Sequence, residues 1–288
     1  MKARQKIREV AEILSPHIHD SVNTEAELIV AQALQAGRAE IYVNNLEVDS
    51  VQAQAIENMV LRRSRREPLQ YITGSVEFLT LTLRVGQGVL IPRPETELMA
   101  EHAVKLLRGR NLEPGFYLRT TILDLCTGSG CLALALAAEF PGALVYGTDV
   151  SERALAYARQ NARMNGISNA SFMAGHLFDP LPAGRYFDLV LSNPPYVKSR
   201  EIPLLQPEVR DWEPAAALDG GADGLDFYRQ IIPAAAGRLK DGGVLMVEVG
   251  EGQAEEVAAM LRKAGYGEIM TKKDYGGIER IVQGRWIK

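Results

Sequence analysis

Cysteine is scarce in this chain, and the two cysteines present, Cys126 and Cys131, lie close together in the sequence. Two cysteines are too few for a disulfide framework, and their spacing lacks the pattern of a zinc site. We therefore expect no metal centre and a small, core-type role for both thiols.

Long hydrophobic runs are also absent. No stretch approaches the roughly 20 apolar residues that a membrane-spanning helix needs, and Glu9 and Glu12 interrupt any signal-peptide core at the basic N-terminus. The hydrophobic fraction of 47% and the charged fraction of 24% are typical of a globular protein. We expect a cytoplasmic protein with no membrane partner, long enough for two domains.

Positive charge is not in excess, because the formal net charge is −4. A protein whose main partner is duplex DNA usually has a basic surface. Global charge leaves room for a local basic patch, but the balance argues against a nucleic-acid substrate.

The most informative stretch is a turn that follows an apolar, strand-like run over residues 186–192 and reads Asn193-Pro194-Pro195-Tyr196. Neither proline has an N–H, so the turn ends the strand. It then lies at the carboxyl end of that strand, where open α/β sheets bind ligands. Asn193 offers an acceptor oxygen and Tyr196 an aromatic face, which together suit a planar amide or amino group. The alternative is a proline-rich turn without a ligand.

A second stretch predicts a cofactor loop. Residues 121–126 form a strand-like run, a helix begins near Cys131, and between them lies the loop Thr127-Gly128-Ser129-Gly130. Glycines allow close backbone approach, and a helix N-terminus favours a negative group. The next strand-like run ends at Asp149, an acceptor for ribose hydroxyls. Nicotinamide enzymes and methyltransferases share this pattern, and a turn without a ligand is the third possibility; the Asn-Pro-Pro-Tyr turn favours a methyl-donating nucleoside cofactor.

The first 66 residues predict three helices. The first helix carries Ile7 and Val10 and ends at Pro16. The second is predicted to have a capping box from Thr24 to Glu27 and a C-terminal cap at Gly37. The third begins near Asp49 or Ser50. The third helix ends in the arginine-rich segment 62–66, which we expect to be solvated; the alternative is a contact for an acidic partner. Residues 71–74 and 78–85 alternate like the strands of a hairpin, and a helix is expected from Glu95 or Thr96 to Leu107.

Beyond residue 121, strands and helices alternate, which predicts a parallel sheet covered on both faces. The two last strands lack a helix between them and should pair antiparallel. The long connection 197–224 is expected to be a mobile loop on the substrate side. The predicted strands are 121–126, 144–149, 170–174, 186–192, 243–249, 267–272 and 278–286, and the predicted helices are 130–139, 151–165, 225–240 and 252–264.

Together these stretches resemble the HemK/PrmC family of peptide chain release factor N5-glutamine methyltransferases, nearly from end to end. The Asn-Pro-Pro-Tyr turn is shared with DNA adenine and ribosomal-RNA methyltransferases, whereas Pro92-Arg93-Pro94-Glu95-Thr96-Glu97 is much more specific. Related ribosomal-protein glutamine methyltransferases look different there. Departures occur at Cys126, where the family usually has glycine, and at His176, where it tends to have aspartate. The matching stretches are residues 67–74, 77–78, 90–97, 124–130, 192–196, 209–210, 213–214, 247–250, 274–276 and 279–280.

The resemblance implies a class I, Rossmann-like α/β methyltransferase domain with a mostly parallel seven-stranded sheet over residues 91–288. An N-terminal helical substrate-recognition domain over residues 1–67 and a β-hairpin linker over residues 68–90 would precede it. The implied cofactor is S-adenosyl-L-methionine, converted to S-adenosyl-L-homocysteine. The implied substrate is the glutamine of the Gly-Gly-Gln motif in class 1 release factors, and we expect a monomer.

The resemblance also implies roles for individual residues. The expected catalytic and substrate-binding residues are those of the Asn-Pro-Pro-Tyr turn, with Arg93 added for the substrate: Asn193, Pro194, Pro195, Tyr196 and Arg93. The expected cofactor-binding residues are Cys126, Thr127, Gly128, Ser129, Gly130, Asp149, His176, Leu177 and Asn193. Two alternatives remain: an amino-group methyltransferase acting on DNA or rRNA, and a non-catalytic protein that keeps the cofactor fold as a scaffold.

Overall fold

The structure is a computed structural model that describes residues 1–18, 20–109, 120–184 and 186–287. The chain divides into two compact units. A helical unit comprises residues 1–75 and 206–212, and a sheet unit comprises residues 76–205 and 213–288. Across the described ranges, no helix combines the length and apolar character that crossing a membrane requires.

The helical unit packs its helices around an apolar core that includes the fully buried Ile29, Val30 and Ile56. In the core-forming helices, apolar residues recur three or four positions apart, which places them on one face. Labels follow chain order, and the helices of this unit are α1 (Ala3–Leu14), α2 (Val22–Leu34), α3 (Arg38–Asn44), α4 (Ser50–Ser64), α5 (Leu69–Thr73) and α9 (Pro207–Arg210).

Predictions for this unit were partly right. The predicted helices correspond to α1, α2 and α4, and Asp49 caps α4 through a reciprocal capping box with Gln52. The capping box at Thr24 was wrong, because α2 begins at Val22 without a side-chain cap.

Two further corrections concern short helices. Gly37 does not cap α2; Gln35 does so in the left-handed conformation, and Gly37 precedes α3, which the sequence did not predict. Residues 71–74 are not a strand, because α5 covers Leu69–Thr73 and ends at Gly74, where φ is +77°.

The expected solvation of the arginine-rich segment is wrong for Arg63, which is 4% exposed. Its guanidinium pairs with Glu25 at 2.5 Å and with Glu208 at 2.9 Å, and it donates to the Glu67 carbonyl. Arg66 also pairs with Glu208 at 2.6 Å. A buried guanidinium needs such partners because desolvating an unpaired charge is costly. Glu208 therefore ties the segment 206–212 to α4 within the helical unit.

The sheet unit begins with a hairpin formed by β1 (Ser75–Phe78) and β2 (Leu81–Arg84). The hairpin was expected, but its predicted strand 78–85 is wrong, because the chain turns at residues 79–80 and divides that run between β1 and β2. The predicted helix near residues 95–107 is α6 (Pro94–Gly109), one of several helices that cover the large sheet. The others are α7 (Cys131–Glu139), α8 (Glu152–Met164), α10 (Asp226–Ala236) and α11 (Ala254–Lys263).

The large sheet has seven strands in the order β5-β4-β3-β6-β7-β9-β8, which confirms the predicted fold class. The two last strands form the predicted antiparallel hairpin, and β9 also runs antiparallel to β7. The buried core lies on both faces of the sheet. The strands are β3 (Thr121–Leu125), β4 (Leu144–Asp149), β5 (Ala170–Ala174), β6 (Phe187–Ser192), β7 (Leu239–Glu248), β8 (Gly267–Lys273) and β9 (Glu279–Arg285).

The connection 197–224 has more regular structure than a loop. It contains α9 and two 3-10 turns, Ile202–Leu204 and Ala215–Ala217. Val197 and Asp219 form an isolated parallel bridge, so the two ends of the connection meet. Its expected mobility stays a prediction.

The ion pairs of Arg63 predict a stability effect. Glu208→Ala should weaken the helical unit by about 1–3 kcal/mol, because it removes one acceptor from a buried guanidinium. Native-state hydrogen exchange of the α4 amides measures this loss without requiring the whole chain to unfold in one step. Asp211→Ala is the matched control, since Asp211 is exposed and pairs with its neighbour Arg210; it should stay within about 0.5 kcal/mol. Equal protection in both variants would contradict the prediction.

Candidate active site

Strand order and register bring the two predicted motifs together. β3 has β4 on one side and β6 on the other, so the chain reverses its direction of travel across the sheet at β3. Leu125 pairs with Thr148 in β4 and with Ser192 in β6. The residues that follow these three positions therefore leave the sheet at the same level, at the type of switch point where α/β folds bind ligands.

The glycine loop, residues 126–130, connects β3 to α7 through a left-handed backbone. Cys126, Gly128 and Gly130 have φ values of +57°, +56° and +83°. A Cβ on Gly130 would lie 3.1 Å from the Ala158 side chain, so glycine also serves packing there. Cys126 occupies a conformation that glycine adopts without strain, and burial raises the pKa of its thiol.

Asp149 ends β4 and holds the glycine loop. Its Oδ2 accepts from the Gly128 N–H at 2.9 Å, and its Oδ1 accepts from the Ser151 N–H at 2.8 Å. Burial raises the pKa of this carboxyl above its ordinary value, against the effect of these bonds. A carboxylate has about four lone-pair positions, so Asp149 retains acceptor capacity for hydroxyl groups.

Within the described ranges, two buried polar atoms near the loop have no hydrogen-bond partner. Asp124 Oδ2 accepts from Thr127 Oγ1 at 2.6 Å and from the Ala133 N–H at 3.2 Å, whereas Asp124 Oδ1 has no hydrogen bond, nor has Ser129 Oγ. Burial raises the pKa of Asp124 to about 7. Unsatisfied buried groups are rare and call for an explanation. A ligand with an amino group and hydroxyls would satisfy this donor and acceptor set.

A cavity of about 400 Å³ opens at this point, large enough for a nucleoside cofactor. Four predicted site residues do not line it: Gly130, Pro194, Tyr196 and Arg93. Its wall also includes residues without a predicted role, among them Thr96, Asp124 and Phe227. The predicted site residues that line it are Cys126, Thr127, Gly128, Ser129, Asp149, His176, Leu177, Asn193 and Pro195.

The Asn-Pro-Pro-Tyr turn, residues 193–196, places Asn193 at the cavity wall. Asn193 Nδ2 donates to Thr96 Oγ1 at 3.1 Å, and Thr96 Oγ1 donates to Glu248 Oε2 at 2.8 Å. Within the described part of the chain, Asn193 Oδ1 accepts no hydrogen bond. Tyr196 OH is 3.4 Å from Glu248 Oε1, and Gln253 donates to the Tyr196 carbonyl.

Glycines of the returning connection pack directly on the Asn-Pro-Pro-Tyr turn. A Cβ on Gly220 would lie 2.7 Å from the Tyr196 Cα and 2.8 Å from the Pro195 carbonyl oxygen. One on Gly224, whose φ is +80°, would lie 2.5 Å from the Tyr196 carbonyl oxygen. Only glycine permits this approach of backbone to backbone, so the segment 219–224 helps to hold the shape of the turn.

Arg93 is engaged by the protein itself. Its Nη2 lies 2.7 and 2.8 Å from the two carboxylate oxygens of Glu213, which is buried. Glu97, in the same segment, accepts from the N–H of Leu79, whose φ is +53°. The segment 92–97 thus joins several parts of the sheet unit, and Thr96 is its member at the cavity.

His176 and Leu177 also lie at the cavity wall. Leu177 is buried with φ at +45°, and its carbonyl accepts from Thr148 Oγ1 at 2.8 Å. His176 Nε2 is 2.9 Å from Gln230 Oε1, and its ring lies 6.4 Å from that of Phe227. Both side chains can therefore contact a ligand through apolar or aromatic surface.

Comparison with known proteins agrees with the two-part organisation of the chain. A family described as a methyltransferase domain matches residues 119–279, and one described as the PrmC N-terminal domain matches residues 5–74. The release factor glutamine methyltransferase of Thermodesulfovibrio yellowstonii is 41% identical over 285 residues, which cover 98% of this chain and 97% of the relative. This chain belongs to the release factor glutamine methyltransferase family. The resemblance inferred from sequence is thereby confirmed.

Other relatives and solved structures agree with this assignment. The release factor glutamine methyltransferase of Geobacter sulfurreducens is 44% identical and covers 92% of this chain and 90% of its own length. A methyltransferase from Pyrococcus furiosus, 18% identical, matches with a TM-score of 0.52 over 82% of this chain and 98% of its own. A 16S rRNA methyltransferase from T. Thermophilus, 21% identical, matches with a TM-score of 0.52 over 73% of this chain and 49% of its own. The two structures support the methyltransferase fold and nothing finer.

Membership of the release factor glutamine methyltransferase family makes the chain an enzyme, which removes the non-catalytic alternative. It also gives context to residues that sequence reasoning left without a role. Thr96 and Glu248 lie inside two stretches that carry the family resemblance. Their hydrogen bonds to the Asn-Pro-Pro-Tyr turn became visible only with the fold, because 97 residues separate Thr96 from Asn193 and 152 separate it from Glu248.

The raised pKa of Asp124 predicts a pH-dependent stability effect. The folded state holds the Asp124 proton up to about pH 7, whereas the ordinary pKa of an aspartate is 3.8. The stability that this proton contributes is therefore lost as pH rises through that window. Asp124→Asn keeps an acceptor for Thr127 and removes the buried charge. We expect a melting temperature above that of the wild type at pH 8, by roughly 2–4 °C for each kcal/mol gained, and a smaller difference at pH 5.

The control for Asp124→Asn is Asp188→Asn, made at another buried aspartate of the sheet. Asp188 pairs with Lys240 at 2.7 Å and accepts from the Thr121 N–H at 2.8 Å. Losing a paired charge should lower the melting temperature at pH 8. Destabilisation of similar size in both variants would show that the buried charge of Asp124 is not unfavourable.

Proposed function

We propose that this enzyme transfers a methyl group from S-adenosyl-L-methionine to the side-chain amide nitrogen (N5) of a glutamine. The glutamine is that of the Gly-Gly-Gln motif in class 1 peptide chain release factors. The observation that carries the proposal is the acceptor oxygen of Asn193, unpaired in the described structure and set at the wall of a cofactor-sized cavity. Family membership supports the same substrate, and release factors would be met in the cytoplasm by a monomeric enzyme.

The cofactor would lie in the cavity along the glycine loop. Asp149 would accept from the ribose hydroxyls, and the unpaired Asp124 Oδ1 would receive the amino group of the methionine part. His176 and Leu177 would contact the adenine, with Cys126, Thr127, Gly128, Ser129 and Gly130 along the backbone of the loop. When bound, the cofactor would supply an electrophilic methyl group on a positively charged sulfur: the bond from sulfur to methyl carbon would break with its electrons staying on sulfur, giving S-adenosyl-L-homocysteine. The amide nitrogen would form the new bond to carbon and lose one proton to solvent.

The Asn-Pro-Pro-Tyr turn would hold the glutamine amide. An amide nitrogen is a poor nucleophile because its lone pair is delocalised. Asn193 Oδ1 and the Pro194 carbonyl would accept its two hydrogens, Pro195 would keep the turn rigid, and Tyr196 would pack beside the amide plane. Such positioning supplies a large part of the acceleration when the reacting atoms are held in line. Arg93 would act on the substrate indirectly, through its ion pair with Glu213.

The helical unit would recognise the release factor outside the cofactor cavity. This unit exposes two valines near the α3–α4 connection: Val43 is 80% exposed and Val51 is 77% exposed. Exposed apolar residues of this kind suit a protein partner better than a phosphate backbone. In this proposal residues 1–67 recognise the substrate and residues 91–288 bind the cofactor and transfer the methyl group. Residues 197–224 would lie on the substrate side.

A nucleic-acid amino group is the competing substrate, because the Asn-Pro-Pro-Tyr turn is compatible with it. Family membership and the formal net charge of −4 both favour the protein substrate. The direct test incubates the enzyme with methyl-labelled cofactor and purified class 1 release factors, DNA or rRNA. Mass spectrometry of the Gly-Gly-Gln peptide should find the label on the glutamine. Label on nucleic acid alone would overturn the proposal.

Asn193 and Asp149 should separate chemistry from cofactor binding. Asn193→Ala leaves one amide hydrogen of the substrate unpaired, so the single-turnover rate should fall roughly tenfold to a hundredfold while cofactor affinity stays near wild type. Asn193→Asp keeps an acceptor but adds a charge beside the cofactor, so it should also be slower with cofactor bound.

Asp149→Ala should show the converse pattern, with cofactor affinity lowered at least about tenfold, as expected for lost hydrogen bonds to a charged acceptor. Calorimetry of cofactor binding alongside single-turnover methylation measures both quantities.

A wild-type rate in Asn193→Ala would refute the amide-holding role. A large loss of cofactor affinity in that variant, with unchanged chemistry, would instead make Asn193 a cofactor residue.

The recognition role of the helical unit predicts a selective effect on the protein substrate. Val43→Glu with Val51→Glu should raise the KM for release factor about tenfold, because a charge would be desolvated in the interface. Cofactor affinity should not change. Leu144→Glu is the control, since Leu144 is 50% exposed at the start of β4, at the edge of the sheet opposite the cavity. The same KM in the valine variant and the wild type would refute this surface.

A further inference from the structure

Asn193 is tied to a buried carboxyl group through a single hydroxyl. Asn193 Nδ2 donates to Thr96 Oγ1 at 3.1 Å, and Thr96 Oγ1 is 2.8 Å from Glu248 Oε2. Thr96 and Glu248 are each 1% exposed. Three elements therefore converge: the N-terminal turn of α6, the end of β7 and the turn after β6.

The bonds of Thr96 give this chain a direction. A threonine hydroxyl has one hydrogen to donate, and an ionised carboxylate can only accept. Thr96 therefore gives its hydrogen to Glu248 and must accept from Asn193. Asn193 can meet that requirement only with its NH₂ group, so its Oδ1 is left on the side of the cavity.

We propose that Glu248 is a positioning residue for methyl transfer, acting through Thr96 to keep the Oδ1 of Asn193 turned toward the substrate amide. This inference rests on the proposed function, and neither Glu248 nor Thr96 needs to touch the substrate. A substrate amide nitrogen brings two donor hydrogens. An Asn193 turned the other way would meet them with its own NH₂ group.

Other contacts hold Glu248 in place. Tyr228 OH donates to the Glu248 backbone carbonyl at 2.7 Å, and Tyr196 OH lies 3.4 Å from Oε1. Tyr196 belongs to the Asn-Pro-Pro-Tyr turn, so the same carboxyl group contacts two residues of the turn, one directly and one through Thr96. Removing its charge should therefore affect the turn without altering the glycine loop.

The charge of Glu248 gives the proposal a pH dependence. Burial raises its pKa to about 7, opposed by its bonds to Thr96 and Tyr196 and by Arg280, and reinforced by Glu95. The charge of Glu248 in turn raises the pKa of two other buried groups, Cys131 and Tyr228. Below about pH 7 Glu248 gains a proton and can itself donate to Thr96, which releases the Thr96 hydrogen toward Asn193. The fraction of correctly turned Asn193 should thus fall as pH falls through about 7.

The experiment compares wild type with Thr96→Val, Thr96→Ser and Glu248→Gln in the full chain. Valine has the shape of threonine without the hydroxyl, whereas serine keeps the hydroxyl. The first readout is the side-chain amide signal of Asn193 in ¹⁵N-resolved NMR between pH 5.5 and 8.5, without substrate. We expect a large shift near pH 7 in wild type and Thr96→Ser, and a much smaller one in Thr96→Val and Glu248→Gln, where Asp124 is a remaining cavity residue with a pKa of about 7.

The second readout is single-turnover methylation of release factor at saturating cofactor. Thr96→Val should be about tenfold slower than wild type, as for a lost orienting hydrogen bond, with cofactor affinity unchanged and Thr96→Ser close to wild type. Glu248→Gln should be slower and should lose the step in rate near pH 7. Melting temperatures identify any variant that does not fold. If Glu248→Gln does not fold, the comparison of Thr96→Val with Thr96→Ser still tests the proposal.

The two readouts distinguish this inference from the proposed function. An Asn193 amide signal that does not titrate in wild type, or that titrates equally in Thr96→Val, would overturn the positioning role whatever the substrate. A wild-type rate and pH profile in Thr96→Val would also overturn it. A titrating Asn193 signal in an enzyme that leaves release factor unmethylated would instead count against the proposed substrate and support the hydrogen-bond chain.

Discussion

The in-register parallel pairing of β3 with β6 is the constraint on which the site depends. Leu125 lies opposite Ser192, and Ser192 Oγ donates to the Leu125 carbonyl at 3.0 Å. Because a parallel register fixes where both strands end, the glycine loop and the Asn-Pro-Pro-Tyr turn must leave the sheet side by side. A shift of one residue would reverse the side chains of a whole buried strand, so the core that fixes the register also positions the site.

Burial is the second constraint, and it acts on the carboxyl groups of the site. Asp124 and Glu248 both have a pKa raised to about 7, with burial as the largest cause in each. Such groups reduce stability when ionised, yet both lie beside the cavity or the Asn-Pro-Pro-Tyr turn. A positively charged ligand near Asp124 would favour its ionised form. The unfavourable charge of the free protein is therefore one that a cationic cofactor can use, which fits the tendency of perturbed groups to gather at functional sites.

Local sequence predicted what depends on neighbouring residues and missed what depends on distant ones. Strands 144–149 and 170–174 have the predicted bounds, because each is a short run that begins after a helix and its turn. The burial of Arg63 was not predictable, since its partners Glu25 and Glu208 are 38 and 145 residues away. The order of the strands in the sheet was not predictable either, because the alternation of strands and helices indicates a parallel sheet without giving the neighbours of each strand. The motifs contain most of the predicted residues that line the cavity. The hydrogen bonds of Thr96 to Asn193 and Glu248 became visible only in the folded structure.

The connection 197–224 shows how one segment serves two units of the chain. It leaves the Asn-Pro-Pro-Tyr turn and contributes residues 206–212 to the helical unit, where Glu208 satisfies the buried Arg63. It then returns to the sheet unit at Glu213, the partner of Arg93, and packs Gly220 against Tyr196. Each anchor involves a buried ion pair or a glycine contact that tolerates little displacement. The residues proposed to hold the substrate amide are therefore linked through the covalent chain to the unit proposed to recognise the substrate protein, and each end of that link is anchored within its own unit.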